Sequence, residues 1–349
     1  MKVDDIYVAG VGVCLPETVP VEDAVAEGRY DADEAAMSGW TGAAVAGDVP
    51  APTLAVHAAR QAVDRSGHEP DDFALVIHAS TNFQGPELWP TASYIQRHTI
   101  GGDAPSLEIK QACSGLLTSI ELSCAYLGRT PQPAALLTTA DNFGHPQIDR
   151  WRYAAGAGTN RLTILGDAGA AVVLSRRSGF ARLLVINSMS LPELEAMYRS
   201  GVELFPPEPT LGLPIRSGAR LAHHREHDPD AHEVGKAMLA QARVTLGKRT
   251  LADADLAPDQ ITRVAHVFSG GQHYIDGALG PMGIDPARGM LDLGRQLGHL
   301  AASDHVVALD HLVTTRQVGP GDHVMLIANG GGSLVCAIVE ILAHPSWTS

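Results

Sequence analysis

The feature that most constrains this chain is an order of segments that occurs twice. Strand-like apolar runs alternate with helix-length patterns: IYVAGVGVCL, TLAVHAARQAVDRSG, FALVIHAS, SLEIKQA, SGLLTSIELSCAYLG, PAALLTTAD and TILGDAGAAVVLS. Strand and helix in alternation specify an α/β fold. The second half returns to it with KAMLAQARVTLGKR, ITRVAHVFS, AASDHVVALDHLVTT, HVMLIAN and SLVCAIVEIL. Pro70-Asp71 precedes an apolar run ending at His78, and Pro258-Asp259 precedes one ending at His266 at the same spacing from the proline. Two copies of one unit are therefore expected, residues 1–175 and 176–349. The turns Gly166-Asp167-Ala168-Gly169-Ala170 and Gly330-Gly331-Gly332-Ser333, each opening a hydrophobic last strand, agree with a duplication. Between the copies, residues 199–235 are rich in Pro, Gly and His. They are expected to form a long irregular loop that shapes an acceptor pocket.

Composition narrows the function classes. With 349 residues and 45% hydrophobic side chains the chain has material for a large core, and 39 acidic against 25 basic residues give a net charge of −14. Such a balance opposes nucleic-acid binding. No apolar stretch approaches the roughly 20 residues of a membrane span, and MKVDDIYVAG lacks the pattern of a secretory signal, so a cytoplasmic protein without a membrane partner is expected. Cys14, Cys113, Cys124 and Cys336 do not read as a disulfide framework, which leaves reduced thiols.

Cys113 stands apart from the other three. In SLEIKQACSGLLTSIELSCAYL a strand ends, a turn of small residues follows, and a helix starts at about Ser114. A thiol at a helix N-terminus has its thiolate favoured and becomes a nucleophile at neutral pH. Cys124 lies farther along the same helix, and Cys14 and Cys336 lie in apolar strands, where a small buried hydrophobe is the expected role. Carrying Cys113 across by nearly the internal offset of the two proline turns gives His299, at another strand-to-helix turn in LGRQLGHLAASDHVVALDHL, with Asp304 a little further on. If the copies pack about a pseudo-twofold axis, their central helix N-termini meet. Cys113, His299 and Asp304 then form a nucleophile, a base and the carboxylate that orients it.

These residues carry a family likeness. GVGVCLPE, QACSG, LGDAGAAVVL, LGHLAASD and GDHVMLIANGGGSL, spread nearly end to end, resemble ketoacyl synthase III type members of the thiolase superfamily. The resemblance implies two pseudo-symmetric α-β-α-β-α halves, a homodimer, and an acyl group passed to the cysteine from coenzyme A or acyl carrier protein, with no permanently bound cofactor. It also implies an oxyanion hole made by the backbone N–H groups of Cys113 and Gly331. Trp40 falls where family members often stack adenine, and Arg150, Trp151, Arg152 and Arg161 form a basic-aromatic stretch suited to the nucleotide and phosphates.

Two departures redirect the expected chemistry. Condensing synthases of this type carry a histidine in Pro-His-Gln-Ala-Asn and an asparagine in Gly-Asn-Thr-Ser-Ala-Ala. Here Val267 occupies the histidine position and His299 the asparagine position, while His266 is expected to be a core residue. The pair that stabilises an enolate during decarboxylation is absent. The chain is thus similar to ketosynthase-like acyltransferases of polyketide and glycoside pathways, of the cervimycin malonyltransferase type. It is expected to move a small acyl group, malonyl among the candidates, to a hydroxyl on an antibiotic-like secondary metabolite. A decarboxylative condensing synthase and a non-catalytic polyketide synthase subunit are the alternatives. Gly166-Asp167-Ala168-Gly169 lacks dinucleotide-fingerprint spacing and reads as a structural turn. His223, His224, His227 and His232 with Asp228 read as a solvated loop, with no metal required.

Overall fold

Alternate residues of the long strands go to different cores, and this period of two sets the layering. A computed structural model describes residues 1–155, 157 and 163–348. The first half runs β1 (Tyr7–Cys14), β2 (Thr18–Pro20), α1 (Val21–Ala26), α2 (Ala32–Ser38), β3 (Gly42–Ala44), α3 (Ala51–Ser66), β4 (Phe73–Ala79), α4 (Thr91–His98), β5 (Ser106–Ile109), α5 (Gly115–Leu127), β6 (Ala134–Asp141) and β7 (Ala168–Ser175). The second runs β8 (Ala181–Ser190), α6 (Glu195–Arg199), α7 (Ser217–His227), α8 (Pro229–Ala254), β9 (Ile261–His266), α9 (Gln272–Leu279), α10 (Leu291–Leu297), α11 (Asp304–Thr314), β10 (His323–Gly330) and β11 (Ser333–Ile341). In β7, Val172 and Leu174 face a core shared with Leu116 and Leu117 of α5 and Val306 and Leu309 of α11. Ala171 and Val173 face the other way, onto Leu54, Ala58 and Ala62 of α3. Likewise Val335 and Ala337 of β11 face the shared core, while Cys336 and Ile338 face Leu239 and Leu246 of α8. The layers are therefore α3, sheet, α5 with α11, sheet, α8, as the thiolase-like α/β fold requires.

Strand order is β5-β4-β6-β7-β1-β8-β11-β10-β9. β4 and β6 are parallel, and β6–β7 and β7–β1 are antiparallel. β9 and β10 are parallel, and β10–β11 and β11–β8 are antiparallel, so the run β4-β6-β7-β1 has its counterpart in β9-β10-β11-β8. The two sheets join where Tyr7 and Val8 pair with Arg182 and Ala181. Local geometry repeats with the topology. Tight turns at Pro70–Asp72 and Pro258–Gln260 start the equivalent strands β4 and β9. The displacement between those turns also relates the left-handed residues that end α3 and α8, Gly67 (φ 68°) and Asp255 (φ 58°).

Two expectations need correction. The central turns do not share the displacement that carries Cys113 to His299: Ala112–Ser114 corresponds to Ala301–Ser303, and Ala112 (φ 47°) and Ala301 (φ 54°) share the left-handed conformation. Cys113 thus matches Ala302, and His299 lies ahead of the equivalent position, before the turn rather than in it. Residues 199–235 are also not one irregular loop. After α6 and a tight turn at Glu208–Leu211, α7 and α8 form a helical hairpin, capped where the Asp228 carboxylate accepts the Ala231 N–H at 3.2 Å and Pro229 opens α8. Gly218, Leu221 and His224 give α7 a buried stripe at helical spacing, which the polar composition of the segment conceals. Among the described residues no helix is long and apolar enough to cross a membrane.

Candidate active site

Each central helix presents its N-terminal turn to the other, and the chemistry collects there. After β5, Ala112 turns the chain through a left-handed residue, Cys113 sits in the tight turn, and α5 follows. On the opposite side α10 ends at Leu297, and α11 begins at Asp304. This brings Cys113 Sγ to 3.0 Å from His299 Nε2, and His299 Nδ1 donates to Asp304 Oδ2 at 2.7 Å. Asp304 is wholly buried and fixed from three directions, since it also accepts the Leu300 N–H at 2.7 Å and the Phe268 N–H at 2.8 Å. With Nδ1 committed to the carboxylate, Nε2 faces the sulfur.

Burial by itself depresses the His299 pKa, but the neighbouring Cys113 and Asp304 charges and their hydrogen bonds outweigh it and hold the ring well above its ordinary value. A proton is therefore favoured on the imidazole. Burial pushes Cys124 and Cys336 up to about 12 and also raises Cys14. Those thiols do not compete as nucleophiles.

The turn joining β10 to β11 closes the site from the other sheet. Gly330 lies so close that a Cβ there would stand 2.7 Å from the Cys113 nitrogen and 2.9 Å from Ala112 Cβ. Gly331 and Gly332 follow in left-handed conformations, φ 57° and 84°. His266 is 1% exposed, accepts the Met290 N–H at 2.9 Å and donates Nδ1–H to the Val267 carbonyl at 2.7 Å. Burial lowers its pKa to about 4. It is a neutral core residue.

The donor-binding residues expected from sequence are largely elsewhere employed. Trp40 and Trp151 are 3% and 4% exposed in a cluster with Tyr30 and Ile164, so neither offers a free face to adenine. Arg150 is buried in a two-pronged ion pair with Asp167, 2.9 Å at each prong, which removes it from phosphate binding. Arg152 is half-exposed, donates to the Gly28 carbonyl at 2.7 Å and lies 3.6 Å from Asp149. Arg161 falls outside the described residues. The His-rich segment is helical rather than a solvated loop: His224 and His232 approach to 3.3 Å across the hairpin, and His223 stacks on His227 at 3.8 Å. No three metal-ligating side chains converge among the described residues. The Arg150–Asp167 pair leaves no signal in the sequence beyond the place of Asp167 in the turn Gly166–Gly169.

Layered sheets with a cysteine at one central helix N-terminus place the class: the chain belongs to the ketoacyl synthase III-like family of the thiolase superfamily. Residues 251–341 match the family described as 3-Oxoacyl-[acyl-carrier-protein (ACP)] synthase III C terminal. Beta-ketoacyl-[acyl-carrier-protein] synthase III of Sinorhizobium medicae is 26% identical over 335 residues, covering 93% of this chain and 95% of that one. Among solved structures, the acyltransferase ChlB3 is 40% identical with a TM-score of 0.90, covering 99% of this chain and 100% of its own. The 3-oxoacyl-[acyl-carrier-protein] synthase III from Aquifex aeolicus VF5 shares the fold, with a TM-score of 0.77 at 17% identity and coverage of 96% and 99%.

Proposed function

We propose that the protein is an acyltransferase that takes an acyl group from acyl-CoA or acyl carrier protein onto Cys113 and passes it, without forming a carbon–carbon bond, to an acceptor hydroxyl. The observation that carries this reading is the line Cys113–His299–Asp304, with spacings of 3.0 and 2.7 Å. In the first half-reaction His299 takes the Cys113 proton, and the thiolate attacks the donor thioester. The tetrahedral intermediate collapses as the C–S bond to the carrier breaks, and His299 returns the proton to the departing thiol. In the second, His299 Nε2 removes the acceptor hydroxyl proton, the alkoxide attacks the acyl-cysteine, and the Cys113 thiolate leaves. The Cys113 and Gly331 N–H groups receive the oxyanion in both steps. Asp304 keeps Nδ1 protonated throughout and balances the imidazolium.

Val267 at the position of the condensing histidine, and His299 in place of the asparagine, support transfer over decarboxylative condensation. The likeness to an acyltransferase agrees with this. Malonyl is a candidate acyl group, a glycosylated or polyketide metabolite a candidate acceptor, and a homodimer the proposed assembly. Intact mass spectrometry after mixing with acetyl-, propionyl- and malonyl-CoA and the same acyl groups on carrier protein tests the reading. A covalent adduct that disappears in Cys113→Ala is expected; absence of an adduct from every donor would contradict it.

A further inference from the structure

We propose that the buried Arg150–Asp167 pair is a positioning device for His299: it anchors the strip of backbone that holds the histidine in register with Cys113. The inference rests on the acyl-cysteine reading above and concerns how its base is kept in place. His299 lies outside any helix. Its main chain is instead clamped by residues 164–166, since its N–H donates to the Ile164 carbonyl at 3.0 Å and its carbonyl accepts the Gly166 N–H at 3.0 Å, the parallel bridge of Leu165 with His299. The chain enters that clamp through Gly298, which is left-handed at φ 75° and so close that a Cβ would stand 3.0 Å from the Gly166 nitrogen.

Residues 164–166 are themselves pinned by the ion pair. The Leu165 N–H donates to the Arg150 carbonyl at 3.0 Å, and Arg150 Nη1 reaches the Leu165 and Ala44 carbonyls, each at 3.4 Å. The guanidinium grips both Asp167 oxygens at 2.9 Å. Those oxygens also accept the Phe143 N–H at 2.7 Å and the Ala46 N–H at 2.8 Å. The Asp167 carboxylate is fully buried and the Arg150 side chain nearly so. For stability alone such a pair has little advantage over an apolar packing of the same volume. An apolar pair cannot tie four backbone groups from separate segments to one point beside the base. A displacement of about 1 Å at a reacting group is enough to lower turnover by roughly a hundredfold.

The test compares Asp167→Asn and Arg150→Lys, which preserve volume, with Arg65→Met, which breaks the partly buried Arg65–Asp310 pair elsewhere in the fold. The readout is the rate of Cys113 alkylation by iodoacetamide as a function of pH, beside the melting temperature. In the wild type the alkylation midpoint should lie below that of His299→Ala. Both positioning variants are expected to move it up toward the value of about 8.5 for a free thiol and to lower kcat by about tenfold or more with little change in KM. Arg65→Met should lower the melting temperature while leaving the midpoint in place. If both positioning variants melt lower yet keep the wild-type midpoint, their role is structural and the inference is overturned. If either variant does not fold, the other decides. A wild type whose midpoint equals that of His299→Ala would instead sink the underlying reading.

Discussion

A sulfur, an imidazole and a carboxylate in line make a nucleophile only if the middle group holds the proton. Burial opposes an imidazolium at His299, and the adjacent Cys113 and Asp304 reverse that preference. Because the folded protein binds this proton more tightly than a free imidazole, the charged pair persists to a higher pH than an isolated histidine would allow, and is lost as pH rises through the raised value. Replacing Asp304 by Asn puts an amide beside Nδ1 that can donate as well as accept, which selects the wrong tautomer. Asp304→Asn should therefore slow Cys113 alkylation near neutral pH by about tenfold or more and lower acyl transfer by roughly a hundred- to ten-thousandfold, measured by iodoacetamide kinetics and by discharge of the acyl-enzyme. An unchanged alkylation profile would show that Asp304 serves only to cap the turn. That Cys113, His299 and Asp304 come together was legible in the sequence, because each stands near a helix start among small side chains, although His299 follows the end of α10 and not a strand. What Arg150, Trp40 and Trp151 do was not: a basic or aromatic side chain reads the same in sequence whether it faces solvent or a buried partner, and only the packing of residues distant in the chain decides.

Turns rather than helices bring the site together. Ala112 and Ala301 hold left-handed conformations that are disfavoured for any residue with a Cβ, by about 1 kcal/mol or more, and they aim the two central helix N-termini at one another. Gly330 must stay without a side chain so that the β10–β11 turn can lie against the Cys113 amide. Gly330→Ala should cost about 1–3 kcal/mol of stability and also slow acyl-enzyme formation, because the clash falls on the nucleophile's own backbone; denaturant midpoints and adduct kinetics check the two parts separately. At this scale the sequence displayed its strands and the proline turns that open β4 and β9. It hid the true register of the central turns, which pairs Cys113 with Ala302, since a change of loop length leaves no periodic trace. It also hid the α7–α8 hairpin, whose buried stripe includes glycine and histidine in place of the usual aliphatics.

The whole molecule is a duplicated sandwich with one shared middle layer, and its strand ends repeat a feature that bears on stability. His78 and His266 close equivalent strands, β4 and β9, and burial holds both neutral with pKa values near 4. Unfolded, each would take up a proton near 6.5. Between those values the unfolded chain binds more protons, so stability should fall as pH drops from about 6.5 to about 4. His266→Gln should flatten that decline, recovering about 1–3 kcal/mol of the acid-induced loss near the lower end, as followed by melting temperature against pH; a parallel decline in both proteins would assign the acid sensitivity elsewhere. Duplication also explains why the fold could be read from the sequence while the acceptor could not: strand patterning recurs in both halves, whereas a pocket is formed by loops that do not repeat. Transfer without condensation is tested by giving the enzyme malonyl-CoA labelled in its free carboxylate, with and without prior loading of Cys113 by an acetyl group, and measuring labelled carbon dioxide. Transfer keeps the label on protein or acceptor, and on unreacted malonyl-CoA where acetyl already occupies Cys113. Carbon dioxide released in step with a β-keto product, and abolished in Cys113→Ala, would contradict it and make the protein a condensing synthase.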